Sequence, residues 1–358
     1  TLSLQTANIN PKAGIGAGSW RSKTVDTTVQ LSQLIERGGK RELRKENAVH
    51  LEDAARSDLQ DVQRQLLLAV SRSYYDVLAA QEKQLVVQHT AQLYDATVDA
   101  ARKRLKAGDI ASADVARLQV DALRAQNDVV QAATDVSTAR QVLGLLLGLN
   151  DKGDSTLLTD SWPAAKFNRQ DIPDEMIERR PDVVAAKARL EAAKVARKMA
   201  LALRTRDVTV GVQYEHYPTS NTNTLGSGNS YGVSLQIPLF VHHAYDGEIR
   251  NAEAGYDIAL ENLEKIRDQA RSDLIKSWSD AHAAYNRIQR YEQRLLAAAK
   301  QAADAAEFAF KHGAMGVMDV LDARRTYRAT QLDAIGARND YAKSLAAWQA
   351  ATLEGEYQ

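Results

Sequence analysis

Cysteine is absent from the 358 residues, which excludes disulfide scaffolds, thiolate zinc sites and cysteine nucleophiles and leaves no acceptor for an N-terminal lipid within this stretch. Proline occurs six times and aromatic residues make up 6% of the chain, so alanine and aliphatic side chains carry the 44% apolar content and helices meet few breakers. Charge of either sign is not in excess: 46 basic residues balance 46 acidic ones, which argues against nucleic acid as a partner. Long apolar runs are missing too. Val142 to Leu149, eight residues with two glycines, falls far short of the roughly 20 needed to cross a bilayer as a helix. The start, Thr1-Leu2-Ser3-Leu4-Gln5-Thr6, has no charged segment followed by an apolar one, so it does not read as a signal peptide.

What is present is an internal repeat. Shifting the chain against itself by 204 residues lays Val29-Gln30-Leu31 over Val233-Ser234-Leu235, Asn47-Ala48 over Asn251-Ala252, and Asp76 with Ala79-Ala80 over Asp280 with Ala283-Ala284. Farther along the offset becomes 205, with Gly108 over Gly313, Asp114-Val115 over Asp319-Val320 and Gln126 over Gln331. Each copy reads as two short alternating stretches, one very long helix, a glycine turn and a second helix. Leu43 to Leu105 and Gly247 to Lys311, 63 and 65 residues without proline, are the long helices, each spanning roughly 95 Å at 1.5 Å per residue. Apolar residues at three-four spacing, such as Leu263, Ile266, Ala270 and Leu274, or Leu295, Ala298, Ala302, Ala305 and Ala309, predict coiled-coil seams. The second helices run from Ser112 to Gly148 and from Val317 to Leu353, after turns written Lys106-Ala107-Gly108 and Lys311-His312-Gly313.

The alternating stretches read as strands with one greasy and one small or polar face. Val208, Val210 and Val212 recur at every second position, as do Tyr231, Val233, Leu235, Ile237 and Leu239, with a Thr/Ser/Asn/Gly loop from Pro218 to Ser230 between them. Leu2 to Ala7 and Thr24 to Ile35 repeat the pattern, and Trp20, Tyr214, Tyr217, Tyr231 and Phe240 sit near strand ends as an aromatic girdle would. Two readings of these hairpins stay open on pattern alone, an outer-membrane barrel and soluble hairpins packed on a helix. Four strands cannot close a barrel and open edges are not tolerated in hydrocarbon, so the membrane reading requires several chains to share one barrel.

With this plan, with Glu178-Arg179-Arg180-Pro181-Asp182-Val183 opening an Ala/Lys/Glu helix to Leu203, with Ile237-Pro238-Leu239-Phe240 before the second long helix, and with Gly313 followed by Asp319-Val320-Leu321-Asp322-Ala323, the chain resembles the TolC family of outer-membrane efflux proteins over nearly its whole length. The resemblance implies a mainly α fold with a small β part, a homotrimer whose twelve pooled strands form one barrel in the outer membrane of a Gram-negative bacterium, and a periplasmic α-barrel. It divides the chain into strands at 1–36 and 206–241, α-barrel helices at 37–149 and 242–358, and a linker with an equatorial-type helix at 150–205. It further implies a passive exit duct that works with a periplasmic adaptor (membrane fusion) protein and a proton-driven inner-membrane pump of the RND type, with outer-membrane lipid around its strands. Gln33-Leu34-Ile35-Glu36-Arg37-Gly38-Gly39-Lys40-Arg41 is similar to the heavy-metal cation branch, the cobalt-zinc-cadmium (CzcC-like) group. Drug or small organic cargo is the alternative, and a coiled-coil scaffold without a channel is the rival from another class. Because Thr1 lies over Thr205, residues 150–204 have no first-copy counterpart, and roughly 50 residues are expected to precede Thr1 in the precursor.

No catalytic constellation, cofactor motif or metal site emerges, so the chain does not read as an enzyme. The Gly-Gly-Lys run at 38–40 lacks the earlier glycine and the following Ser/Thr of a phosphate loop. The histidines at 50, 89, 216, 242, 243, 282 and 312 show no i, i+4 pairing, and the adjacent His242 and His243 would point apart on extended backbone. Asp319 and Asp322 lie three apart at a helix start, so threefold symmetry would stack them as carboxylate rings, while acidic residues in a first turn also simply complement the helix dipole. The resemblance matches Asp114, Asp319 and Asp322 to the family's periplasmic aperture and Phe310 to its aromatic gate, without the usual hydroxyl. Met315 stands where some members carry a basic residue, so any ionic lock must differ, with Arg117, Arg324 and Arg325 as nearby candidates. The turns around Gly108, Gly313 and Met315 would be the tips that meet the adaptor, and Val208, Val210, Val212, Val233, Leu235 and Ile237 would face lipid.

Overall fold

The structure is a computed structural model that describes residues 1–7, 26–149, 161–165, 173–217, 228–240 and 244–352. Trp20 and the pair His242-His243 lie outside them. Among the described residues, four strands, β1 (Leu2–Ala7), β2 (Asp26–Ile35), β3 (Val208–Tyr217) and β4 (Gly228–Gln236), are interspersed with seven α-helices: α1 (Lys40–Ala107), α2 (Ser112–Leu146), α3 (Asp174–Arg179), α4 (Pro181–Ala202), α5 (Asp246–Arg290), α6 (Leu296–Lys311) and α7 (Val317–Thr352). The chain divides into two compact units, Thr1–Arg56 with Ala185–Glu264 and Ser57–Val184 with Lys265–Gln358.

In the first unit the strands form one antiparallel sheet in the order β1-β2-β3-β4. The register carries the period-two pattern across all four strands: Leu2 pairs with Leu31, Leu31 with Val212 and Val212 with Val233. The next row on the same face runs Leu4, Val29, Tyr214, Tyr231. The alternate rows are polar, for example Ser3, Gln30, Gln213, Gly232, so a slip of one residue in any strand would put amides among aliphatics. β4 ends at Gln236, short of the strand expected to reach Leu239. Pro238 has no N–H to donate to a ladder, so Ile237 is exposed just past the strand rather than paired within it.

In the second unit the helices pack as hairpins. Tyr94, Val98 and Ala101 of α1 and Val115, Leu118, Ala122 and Ala125 of α2 form one buried cluster that also takes Leu321 of α7. Arg180, almost wholly buried, stands before α4 and donates to both Asp182 oxygens (3.1 and 2.7 Å), to Asp273 (3.3 Å) and to the Ala270 carbonyl (3.3 Å). The Arg-Pro-Asp start therefore braces α4 against α5.

The second long helix is not uniform. Between α5 and α6 the five residues Tyr291–Leu295 form a π turn, which holds one residue more than an α turn. Its consequence is a correction to the expected seam: Leu263, Ala270 and Leu274 are buried, but Leu295, Ala298, Ala302 and Ala305 are exposed. Ala303 and Ala306 are buried in their place. The wide turn displaces the seam by one position, and this is where the repeat offset changes. Ser73 and Val77 match the buried Ser277 and Ala281 at 204, whereas Val98 and Ala101 match Ala303 and Ala306 at 205. A single extra residue has been absorbed without rotating the tip.

Candidate membrane sheet and helical tips

The apolar face of the sheet is exposed although it is made of large side chains. Val233 is 83% exposed, Val212 51%, and Leu2, Leu4, Leu31 and Leu235 are open as well. Val208 and Val210 share this face and are partly covered. A continuous aliphatic surface of this kind marks contact with a lipid or a partner. Tyr214 and Tyr231 meet at one end of it with ring centroids 5.4 Å apart and ring planes tilted by 47°, and the Tyr214 hydroxyl donates to Asn229 at 2.9 Å. β1 and β4 are each paired on one side only among the described residues, which leaves two open edges.

At the other end of β2 the chain turns a corner into α1, and the Glu36-Arg37-Gly38-Gly39-Lys40 stretch makes that corner. Gly38 adopts φ +72°, and a Cβ there would lie 2.9 Å from Thr205 Cβ. Lys40, itself buried, donates to the Thr205 carbonyl and to Asp207, both at 2.8 Å, and the Arg37 N–H donates to the other Asp207 oxygen at 2.9 Å. The Lys40 ammonium, followed by the Arg37 N–H, holds the Asp207 carboxyl below its usual range. Arg44 grips Glu36 with both guanidinium nitrogens at 2.8 and 2.7 Å and lowers that carboxyl likewise.

The two helical turns of the second unit have the same construction. Gly108 and Gly313 take φ +82° and +75°. Their N–H groups donate to Leu105 and Phe310 carbonyls, and the next N–H groups donate to Arg104 and Ala309 carbonyls, a paired 5→2 and 6→1 closure that satisfies the last helical acceptors. Asp114 lies in the first turn of α2, 3.9 Å from Arg117, and Asp319 lies exposed in the first turn of α7 with no ion pair among the described residues. Asp322 is 3.4 Å from Arg325. Phe310 has the Arg104 guanidinium over its ring at 5.1 Å, a cation–π contact that needs no hydroxyl. Met315 is exposed.

Sequence reasoning missed an ionic ladder between the hairpins. Arg325 of α7 reaches Asp121 of α2 at 2.6 Å, and Asp121 retains only 10% side-chain exposure. Burial and this carboxylate push the neighbouring Tyr94 phenol above its usual range. Arg324 pairs with Glu307 at 3.2 Å and donates to Thr97 Oγ1 at 2.6 Å, and Arg328 pairs with Asp128. Arg324 and Arg325 were legible as candidates, but their partners were not. Arg117 stays with Asp114 on its own helix. The signal lay in the repeat: the first-copy positions matching Arg324, Arg325 and Arg328 are Gln119, Val120 and Leu123, so the arginines belong to one copy alone.

A family model described as outer membrane efflux protein matches residues 4–149 and 172–352. The chain belongs to that family. It is an outer-membrane efflux protein, not an enzyme, and membership decides against the scaffold alternative. The cobalt-zinc-cadmium resistance protein CzcC of Cupriavidus metallidurans is 26% identical over 335 residues, covering 91% of this chain and 77% of that protein. The outer membrane protein TolC of Vibrio cholerae is 25% identical, covering 79% of this chain and 66% of its own length. Among solved structures, CusC superposes with a TM-score of 0.81 at 18% identity over 98% of this chain and 82% of CusC, which establishes the shared fold.

Proposed function

We propose that three copies of the chain pool their strands into one outer-membrane barrel and form the exit duct of a tripartite exporter of heavy-metal cations. The observation that carries this reading is the sheet: aliphatic on one face, polar on the other, and open at both edges. In hydrocarbon every N–H and C=O on those edges needs a partner, and strands of neighbouring copies supply them. The aliphatic rows through Val210, Val212, Val233 and Leu235 then meet lipid, with Val208 and Ile237 at the margin, while the Gln30 and Gln213 row lines an aqueous lumen.

Residues 1–36 and 206–241 serve the β-barrel, 37–149 and 242–358 the α-barrel, and 150–205 the girdle between repeats. The turns at Gly108 and Gly313, with Met315, meet a periplasmic adaptor, and an inner-membrane pump of the RND type supplies energy. Asp114, Asp319 and Asp322, repeated by the symmetry, ring the periplasmic aperture beside Phe310, where carboxylates favour cations in passage without the multidentate geometry that would trap them. The name of the Cupriavidus metallidurans relative supports metal cargo. The test is a deletion strain challenged with cobalt, zinc and cadmium salts and, separately, with drugs. Metal sensitivity reversed by the restored gene is the expected result; sensitivity to drugs alone would assign organic cargo instead.

A further inference from the structure

The aliphatic face of the sheet ends on two arginines. In the register of β2 on β3, Leu31 pairs with Val212, Gln33 with Val210 and Ile35 with Val208. Two places further the same count sets Arg37 beside Arg206, and the Arg37 N–H, donating to Asp207 at 2.9 Å, holds the two segments together at that point. From Tyr214 to Arg206 the chain covers roughly 26 Å, which carries a tilted strand across most of an apolar band about 25 Å tall. Tyrosines therefore close the face at one end and guanidinium groups close it at the other, where the chain enters its helices.

Like charges directly opposite one another on a sheet are destabilising. Both arginines are exposed, and among the described residues neither guanidinium has a carboxylate or other hydrogen-bond acceptor to offset the other. The carboxylates of the corner are engaged elsewhere: Glu36 by Arg44, Asp207 by Lys40 and Asp246 by Arg204. Arg206 is nonetheless held in position, its guanidinium over the Phe240 ring at 5.6 Å and that ring edge-on to Tyr245 at 5.1 Å. On the strand side of the pair the neighbouring side chains are aliphatic, with Ile35 and Ile237 both exposed. Two adjacent positive charges without a counter-charge, at the rim of a surface that meets hydrocarbon, suit an anion that is itself carried at the rim of hydrocarbon.

We infer that Arg37 and Arg206 bind the headgroup of an anionic phospholipid in the periplasmic leaflet. The phosphodiester bridges the two guanidinium groups through charge-assisted N–H···O bonds, and the acyl chains lie along the aliphatic rows above. This inference rests on the membrane reading of the sheet proposed above and adds which lipid the sheet selects.

The test uses full-length protein in detergent, incubated with equimolar dioleoyl phosphatidylglycerol and dioleoyl phosphatidylcholine and read by native mass spectrometry, with insertion into phosphatidylcholine vesicles measured in parallel. Each arginine at an anionic surface contributes about fivefold, so a preference of about 25-fold for phosphatidylglycerol is expected. Arg37→Gln and Arg206→Gln together should abolish the preference without changing the mass of the assembly. Arg37→Lys with Arg206→Lys keeps the charge and should retain a weaker preference, since an ammonium does not make the paired contact with phosphate; an undiminished preference overturns the bridging contact. A large excess of inorganic phosphate should not displace the lipid, and full displacement would assign the arginines to a free anion and overturn the lipid site. Protein that inserts but shows no preference, or a glutamine variant that keeps it, overturns the headgroup site alone. Protein that enters no vesicle overturns the membrane sheet as well.

Discussion

Adjacent residues on β3 offer the sharpest contrast that the sheet makes available. Val212, fifth of the ten residues of the strand, pairs with Leu31 on one side and Val233 on the other, while Gln213 points to the opposite face between Gln30 and Gly232. If the aliphatic face meets hydrocarbon, Val212→Arg places a guanidinium near the bilayer midplane, at a cost of about 2–4 kcal/mol per subunit. Each 1.4 kcal/mol is a factor of ten, so the folding equilibrium falls by roughly 30- to 1,000-fold per copy, and a shared barrel carries three copies. Gln213→Arg adds the same charge one residue along, where a polar lumen would leave it hydrated at a cost of about 0–1 kcal/mol. The assay is urea-dependent refolding into lipid vesicles, followed by tyrosine fluorescence and by band mobility with and without heating. Equal stability of the two variants would refute the assignment of faces, and the reverse order would turn the sheet inside out.

Gly38→Ala should destabilise the strand-to-helix corner by about 1–3 kcal/mol in urea titration, combining left-handed strain with the approach to Thr205; an unchanged midpoint would show that the corner yields freely. The same corner should be acid-sensitive. Asp207 and Glu36 have lowered folded-state pKa values, so their contribution is present above the unfolded carboxyl range near 4 and is lost as pH falls through the lower folded values. Amide exchange at residues 36–44 should accelerate below that range relative to the tips, and Lys40→Met should remove much of the difference; exchange independent of pH after correction for intrinsic rates would contradict it. Deleting Gln293 from the π turn should convert it to an α turn and cost under about 1 kcal/mol, whereas deleting Ala305 should rotate the tip by about 100° and block assembly. Comparable losses from both deletions, measured by thermal unfolding and trimer yield, would show that the turn is not absorbing the extra residue.

Much of the architecture was legible because it rests on periodicity. Val208-Thr209-Val210-Gly211-Val212 can bury or expose one side only as a strand, and 63 proline-free residues after Lys40 leave little but helix. Periodicity does not mark its own end, which is why Ile237 and Leu239 continued a pattern that pairing had already left at Pro238. Nor does it show where a helix widens. The seam through Ala298, Ala302 and Ala305 is right for an unbroken α-helix and wrong after Tyr291–Leu295, although the step from 204 to 205 between Ala284 and Gly313 had announced the extra residue. Asp114 and Asp319 drew notice as acidic residues at helix starts, and with Asp322 they were assigned to the aperture by the family resemblance; the partners of Arg325 and Arg328 could not be named, since Asp121 and Asp128 lie 204 and 200 residues away and nothing local links them. The Gly38-Gly39-Lys40 run was read as a pattern, and its physical content, a left-handed glycine against Thr205 with a buried lysine on Asp207, appears only when β3 is brought alongside.

The central claim is that this chain forms a water-filled path across the outer membrane, and conductance of the purified protein in a planar lipid bilayer tests it most directly. Discrete, cation-selective current steps are predicted, with selectivity weakened and conductance raised in a protein carrying Asp319→Ala and Asp322→Ala together. Membrane-inserted protein that carries no current in either form would contradict the account.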